Sequence, residues 1–319
     1  MFGIEFHYFH ETDSREKQGL RFVPCQGSLN QGQLERMIIY LKKNYDLLGA
    51  RDFMDAVLRG DDRKDRVCLT FDDGLKSQAE IAWPVMESLG VTGFFFTCTS
   101  WMENRPPLLE VYHDFRFREY NTVSQFYGDF FEIMRKNAHL ISPEVFERMR
   151  LFRYEDYLIH CPWHSYYDKL FRYTRDRLLT EEQYHLLMHV LMSEKGYDPW
   201  EHLKDLWTSG DQLCALQSAG NVIGLHSHTH PTTMTDMSYE QQFMEYAKNQ
   251  NMLESVLGQR PDTVSYPCDA CSAETENIMH RLNVRLGFAA HVTAERNPLR
   301  ISRRNHPLLV EEMSETGCF

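Results

Sequence analysis

No stretch of this 319-residue chain approaches the roughly 18 consecutive apolar residues of a spanning helix, so no transmembrane segment is predicted. The amino terminus, MFGIEFHYFHETD, has neither a basic leader nor an apolar run. No export signal is visible there, and a cytoplasmic protein is expected. Positive charge is scarce: 34 Lys and Arg against 46 Asp and Glu leave a net −12. That balance disfavours nucleic acid and anionic membranes as partners. Cysteines are sparse and irregular, at 25, 68, 98, 161, 214, 268, 271 and 318. Reduced thiols are expected, and the lone Cys268–Cys271 pair is read as structural. Repeats and low-complexity linkers are absent. Between Gly93 and Gly210 the only glycines are Gly128 and Gly196.

What remains is ordinary globular material, 42% apolar and 25% charged, long enough to bury a core. Short apolar runs at 2–9, 67–71, 91–98, 221–225, 263–266, 285–292 and 299–302 predict strands. Helical spacing covers 33–47, and 77–89 with a kink at Pro84. Ser238 and Gln241 form a capping box for a helix closed by Gly258 and Pro261. Strands alternating with helices predict a parallel α/β architecture. The glycine-poor middle is rich in Tyr, Phe, Arg and Glu. Its helix starts, Ser142-Pro143 and the Thr180–Gln183 capping box, predict a helical insertion. The expected division is 1–103 and 211–319 as two parts of one α/β unit, with 104–210 inserted.

Two segments gather chemistry, each directly after a buried strand. In Thr70-Phe71-Asp72-Asp73-Gly74, adjacent carboxylates repel, so a metal or a raised pKa is expected to relieve them; the bland alternative is a turn. In His226-Ser227-His228-Thr229-His230-Pro231, His226 and His230 are four residues apart, workable spacing for two ligands of one metal. The bland alternative is a His-rich surface loop. Together the segments offer two His and one carboxylate, Asp73 or Asp72, with the other Asp free as a base. His228 would point elsewhere, into the surroundings of the metal. Ligands of parallel α/β folds bind at such strand ends. His185 and His189 are read as packed helix. His7, His10, His113, His160 and His164 are not expected in the site.

TFDDG followed by His-Ser-x-x-His resembles the polysaccharide deacetylases of the NodB-homology type, carbohydrate esterase family 4. The resemblance covers about 1–100 and 210–305. It implies an α/β fold, a distorted (β/α) barrel of about seven parallel strands, and a divalent metal, most often zinc. By position it implies Asp72 as catalytic base, Asp73, His226 and His230 as metal ligands, and Ser227 steadying the histidine loop. The family's third motif has an Arg two residues before a Pro that an aromatic follows. This chain has Ser265 there, and Cys268 after Pro267. The backbone N–H of Cys268 would then serve the oxyanion. The family's late Leu-x-His has no clean counterpart; beyond His280, His306 and His291 are the candidates for general acid.

The insertion and the Arg-Ile-Ser-Arg-Arg-Asn-His-Pro ending resemble a branch that works in surface-polysaccharide (capsule or O-antigen) biosynthesis. The implied substrate is an acylated sugar nucleotide or a lipid-linked oligosaccharide, cleaved at an amide in preference to an ester. Two rivals use the same residues: a non-haem iron oxygenase with a two-His-one-carboxylate triad, and a glycan-binding scaffold without turnover. The insertion is expected to wall the pocket, through Trp101, Tyr112, Phe115, Tyr120, Trp163, Tyr166 and Tyr167, or else to form a subunit interface. A homo-oligomer is compatible with the chain.

Overall fold

The computed structural model describes residues 1–11, 28–61, 63–159, 164–202, 206–289, 297–315 and 317. The chain forms two compact units: Met1–Thr12, Gln26–Leu108 and Lys204–Phe319 make one, Asp13–Cys25 and Leu109–Leu203 the other.

The first unit runs β1 (Phe2–Phe6), α1 (Gln31–Asn44), β2 (Asp46–Leu47), α2 (Ala50–Leu58), β3 (Arg66–Phe71), α3 (Trp83–Ser88) and β4 (Phe94–Thr97). The second holds α4 (Leu108–Glu119), α5 (Val123–Lys136), α6 (Pro143–Arg150), α7 (Tyr166–Tyr173) and α8 (Glu181–Lys195). The first unit then resumes with α9 (Gly210–Ser218), β5 (Val222–Leu225), α10 (Tyr239–Leu257), β6 (Thr263–Ser265), α11 (Ala273–Arg281), β7 (Leu286–Ala289), β8 (Ile301–Asn305) and α12 (His306–Glu315).

Every strand pairing is parallel. The order β1-β8-β7-β6-β5-β4-β3 closes on itself through β1–β3, giving a seven-stranded (β/α) barrel with the two-residue β2 outside β3. Because side chains alternate along a strand, one set faces the helices and the other the lumen. Ile4, Phe6, Leu69, Phe71 and Ile223 join the helix residues Leu34, Met37 and Leu41 in the outer core. Cys68, Phe94, Phe96, Leu286 and Phe288 form a second cluster with Phe53 of α2. The register carries this inner set upward. Glu5 pairs with Thr70, Gly3 with both Cys68 and Arg303, and Ser265 with Phe288. Glu5, Thr70, Ser265 and Arg303 therefore share the inner face, and His7, Asp72 and His226 follow in phase at the carboxyl ends of β1, β3 and β5.

Local signals explain most boundaries. α10 is opened by the Ser238–Gln241 capping box and closed by Gly258 at φ 65°. The expected 77–89 helix is broken in two. Before Pro84, which lacks an N–H, the turn Gln78–Ala82 widens, and the Trp83 N–H reaches back to the Gln78 carbonyl. The expected 2–9 strand stops at Phe6, and the 299–302 strand runs on to Asn305. α2, α11 and α12 carried no sequence expectation.

The helical unit packs an aromatic interior: Phe130 lies edge-on to Phe171 at 4.9 Å, and Phe115 to Tyr197 at 5.1 Å. Tyr112, Phe115 and Tyr120 are buried, while Tyr166 and Tyr167 are exposed. Trp101 belongs to the barrel unit, its indole N–H donating to the Cys98 carbonyl. Trp163 lies outside the described residues. Among the described residues no helix is long and apolar enough to cross a membrane.

Candidate active site

β3 delivers Asp72 and Asp73 to the top of the barrel. Asp73 takes a left-handed backbone, φ 75°, and Gly74 follows at φ 67°. A Cβ on Gly74 would lie 2.0 Å from Thr97 Oγ1, so only glycine fits this turn. β5 delivers the histidine loop, with Ser227 at φ 60° and His230 at φ 58°. Of the eight non-glycine residues with positive φ among the described residues, five follow the carboxyl ends of strands: Asp73 after β3, Ser227 and His230 after β5, Cys268 and Asp269 after β6. Such backbone persists only where its surroundings over-determine it, and it concentrates at functional sites.

Asp73 Oδ1 lies 3.2 Å from His226 Nε2 and 3.3 Å from His230 Nε2, with all three residues buried. The His226 Nδ1–H donates to the Ser265 carbonyl at 2.9 Å. That bond fixes the tautomer and leaves the Nε2 lone pair of the neutral ring aimed at a carboxylate oxygen. Lone pair against lone pair is repulsive unless a cation lies between them. A proton serves in the isolated chain. Burial lowers the His226 pKa, but Asp72 and Asp73 more than offset it, so it stands above its ordinary value. Burial likewise pushes Asp73 up, yet hydrogen bonds from both histidines hold it well below the carboxylate range. A divalent ion fits the same place. Donors at ~2.0–2.1 Å from a tetrahedral ion stand about 3.3 Å apart, and these separations match. The ligand atoms of the three residues all fall within 4.8 Å of one another.

Asp72 is held differently. Its backbone N–H extends the ladder to the Phe6 carbonyl, and its side chain turns into the lumen. Arg303 Nη1 donates to both carboxylate oxygens at 2.8 Å, and the Ser265 hydroxyl donates to Oδ2 at 2.9 Å. Burial raises its pKa, but Arg303, His226 and His7 together bring it below its ordinary value. Arg303 also reaches Glu5, Nη2 to Oε1 at 3.1 Å. Sequence reasoning missed this arginine because the predicted strand ended at 302. Carried one residue further, alternation places Arg303 in the lumen and Arg304 outside, on Glu312. Gly3 leaves room for the Arg303 stem, since a Cβ there would lie 3.2 Å from its Cγ. Glu5, His7 and Asp72 also fall within reach of one another as metal-type ligands, but the guanidinium already lies on both carboxylates of that group.

His7 was missed too. It follows β1, with Nε2 4.0 Å from Asp73 Oδ2 and 3.7 Å from Glu5 Oε1. Its buried Nδ1 has no hydrogen-bond partner among the described residues. The available signal was a histidine directly after a strand; the search for a late histidine drew attention away from it. His306 is a correction. It opens α12, stacks on Phe6 at 5.5 Å and sets Nδ1 3.3 Å from the Glu5 carbonyl. Burial and nearby His7 push its pKa down to about 3, leaving it no proton to give near neutrality. The structure does not bring it to Asp73. His291 lies outside the described residues.

The remaining expected residues frame the site. Ser227 Oγ accepts the His230 N–H at 3.1 Å. His228 turns away, with Nδ1 3.0 Å from Thr99 Oγ1 and Nε2 3.5 Å from Glu103. Cys268 sits at φ 51° in the turn Pro267–Asp269 that ends β6, with its side chain exposed. Burial pushes the Cys271 thiol up to about 11.

A family model described as polysaccharide deacetylase matches residues 59–118 and 177–287, more than half of the chain. The match includes Asp72, Asp73, the histidine loop and Ser265, and leaves out β1 and β8 with His7 and Arg303. No curated protein sequence matches. Among solved structures, the deacetylase PplD of Streptococcus pyogenes in complex with acetate superposes at a TM-score of 0.54, with 14% identity over 97% of this chain and 96% of its own. The de-N-acetylase of Aggregatibacter actinomycetemcomitans does so at 0.54, with 10% identity over 95% and 93%. IcaB of Ammonifex degensii gives 0.51, with 12% identity over 95% and 90%. At these identities the likeness is one of fold.

Proposed function

The chain belongs to the polysaccharide deacetylase family, and from that premise we propose that it is a metal-dependent hydrolase removing an acetyl or similar small acyl group from an amino sugar. The observation that carries the reading is the convergence of Asp73 Oδ1 with two imidazole Nε2 atoms beside a separately held Asp72. Asp73, His226 and His230 would hold a divalent ion, zinc by the chemistry of a two-nitrogen, one-oxygen donor set. Such an ion supplies Lewis acidity and a lowered water pKa.

The chain's own residues divide the remaining work. Asp72, kept ionised by Arg303 and steadied by the Ser265 hydroxyl, takes the proton from the attacking water. His7, beside Asp73 and Glu5, gives a proton to the leaving amine. Cys268, where the chain turns at the end of β6, offers its backbone N–H to the oxyanion. Nitrogen in preference to oxygen as the acyl carrier is supported by the relative named a de-N-acetylase. A surface-polysaccharide intermediate, as sugar nucleotide or lipid-linked oligosaccharide, is the proposed substrate class. The 104–210 segment is proposed as an insertion into a two-part barrel.

The test is acetate release from a panel of N- and O-acetylated sugar nucleotides and oligosaccharides, with protein stripped of metal and reloaded with defined ions. Release restored by a divalent ion and abolished in Asp73→Ala supports the reading. Release unaffected by stripping and by Asp73→Ala would sink it.

A further inference from the structure

The histidine loop is held from behind by one helix. We propose that Glu245 and Asn249, one turn apart on α10, are positioning residues that set the metal affinity of the site by fixing the backbone of residues 226–230; this rests on the reading that Asp73, His226 and His230 hold a divalent ion.

Glu245 Oε2 accepts two successive backbone N–H groups, His228 at 3.0 Å and Thr229 at 2.8 Å. Its Oε1 accepts the Thr229 hydroxyl at 2.9 Å. Two adjacent amides converging on one oxygen form a nest for negative charge, and the carboxylate fills it. Asn249 is fully buried. Its Oδ1 accepts the His226 N–H at 3.0 Å, and its Nδ2 donates to the Thr97 carbonyl at 3.0 Å and to Thr99 Oγ1 at 3.1 Å. Asn249 thus ties the first ligand to the end of the neighbouring strand β4. The His228 carbonyl is taken in turn by the N–H groups of Thr99 and Ser100.

These contacts engage the main chain and leave the ligand rings alone. The loop needs them because Ser227 and His230 both occupy the left-handed region, which residues with a Cβ seldom visit unassisted. A loop released from α10 would spread over extended conformations. His230 Nε2 would then be met near Asp73 only part of the time, and the loss would fall on metal affinity. Partners that orient ligands from behind cost 10–100-fold in affinity or activity when removed.

The probes are Zn²⁺, titrated into metal-free protein against a chromophoric chelator, and Co²⁺, whose visible absorption reports ligand geometry. Glu245→Ala and Asn249→Ala are expected to weaken Zn²⁺ by about tenfold or more and to alter the Co²⁺ spectrum. Glu245→Gln should stay close to wild type, because its amide oxygen accepts the same two N–H groups. The Tm of the metal-free proteins separates a general loss of stability from a loss of affinity. His226→Ala is the control for the underlying reading. Wild-type affinity in that control overturns both the metal reading and this proposal. A weakened control beside a Glu245→Ala protein with wild-type affinity and spectrum overturns the proposal alone, whatever happens to Tm and whether or not Asn249→Ala folds.

Discussion

In the helical unit, two buried carboxylates are held by conventional hydrogen-bond donors. Asp168 accepts from the Tyr127 hydroxyl and from both the N–H and the hydroxyl of Ser165. Asp114 takes Arg118 and Tyr197, each at 2.7 Å. In the barrel unit, Asp73 faces two imidazole nitrogens instead, one of them left as a lone pair by its ring's bond to Ser265. A satisfied network contributes stability and specifies a packing arrangement. The Asp73 cluster needs a cation between its atoms, a proton or a metal ion, and that dependence points to chemistry. Burial and charge alone would not separate the two regions; the kind of group facing the carboxylate does, since imidazole nitrogens can also bind a metal.

The sharpest way to break that comparison is to neutralise one carboxylate in each region. Asp72→Asn is expected to cut turnover by about 10²–10⁴-fold, the usual worth of a general base, while Asp73, His226 and His230 still bind metal. Asp168→Asn is expected to cost ~1–3 kcal/mol of stability by disturbing a satisfied buried group, with kcat unchanged in the folded fraction. Steady-state kinetics beside chemical denaturation would check both. An active Asp72→Asn protein would remove the base from the mechanism.

Arg303 offers a second cut. Arg303→Met strands Asp72 and Glu5 as buried carboxylates without their cation. Breaking such a group is expected to cost about 3–5 kcal/mol and to lower kcat together with stability. Adding Ser265→Arg to Arg303→Ala returns a guanidinium to the same carboxylate from β6. That double variant is expected to regain activity over Arg303→Ala alone. No regain, in a protein that folds, would mean that Arg303 supports the barrel and leaves Asp72 indifferent.

The two histidines that open and close the barrel test the assignment of the acid. His7→Gln is expected to lower kcat by about 10²-fold with little change in stability, because His7 packs at the rim. His306→Gln should leave kcat near wild type. The reverse ranking would return the role to His306.

Much of this was legible in the sequence, and the exceptions share a cause. Asp72, Asp73, His226 and His230 announce themselves because each cluster follows an apolar run, which puts it at a strand end. Seven such runs with helices between some of them point to a parallel α/β architecture; its closure into a barrel was implied only by the family resemblance. Arg303 and His7 were lost at strand boundaries: one strand was drawn one residue short of Arg303, the other drawn past His7 to residue 9. Alternation fixes the inner face only for residues counted as strand, so a side chain just past the drawn end gets no assignment. Only closure of β1 on β3 and β8 brings residues 5, 7, 72 and 303 together, and closure is a long-range event that no local pattern records. His306 looked attractive as a late histidine beside a proline, and burial on Phe6 is what disqualifies it.

The smallest expected effect concerns pH, and here the two regions behave alike. His306 in the barrel and His164 in the helical unit are both pushed down to about 3, chiefly by burial, from an ordinary 6.5. Their folded pKa lies below the unfolded value. Between pH 6.5 and 3 the unfolded chain therefore binds protons that the folded chain refuses. Stability contributed by the neutral rings is complete above 6.5 and falls as the pH drops through that window. Asp72 and Asp73 have lowered folded values, so their contribution is present above the unfolded carboxylate value near 4 and begins to fail only below it. A denaturation series from pH 7 to pH 5 lies above the carboxylate window; His226, whose folded pKa is raised, acts there in the opposite direction, so each variant is read as a difference from wild type. His306→Gln and His164→Gln should each flatten the decline relative to wild type, and the double variant more than either alone. Since the two residues lie in different units, a barrel that loses its decline in His306→Gln while the helical unit keeps its own would show that the units melt separately. A decline unchanged by both substitutions would mean that neither ring is held neutral.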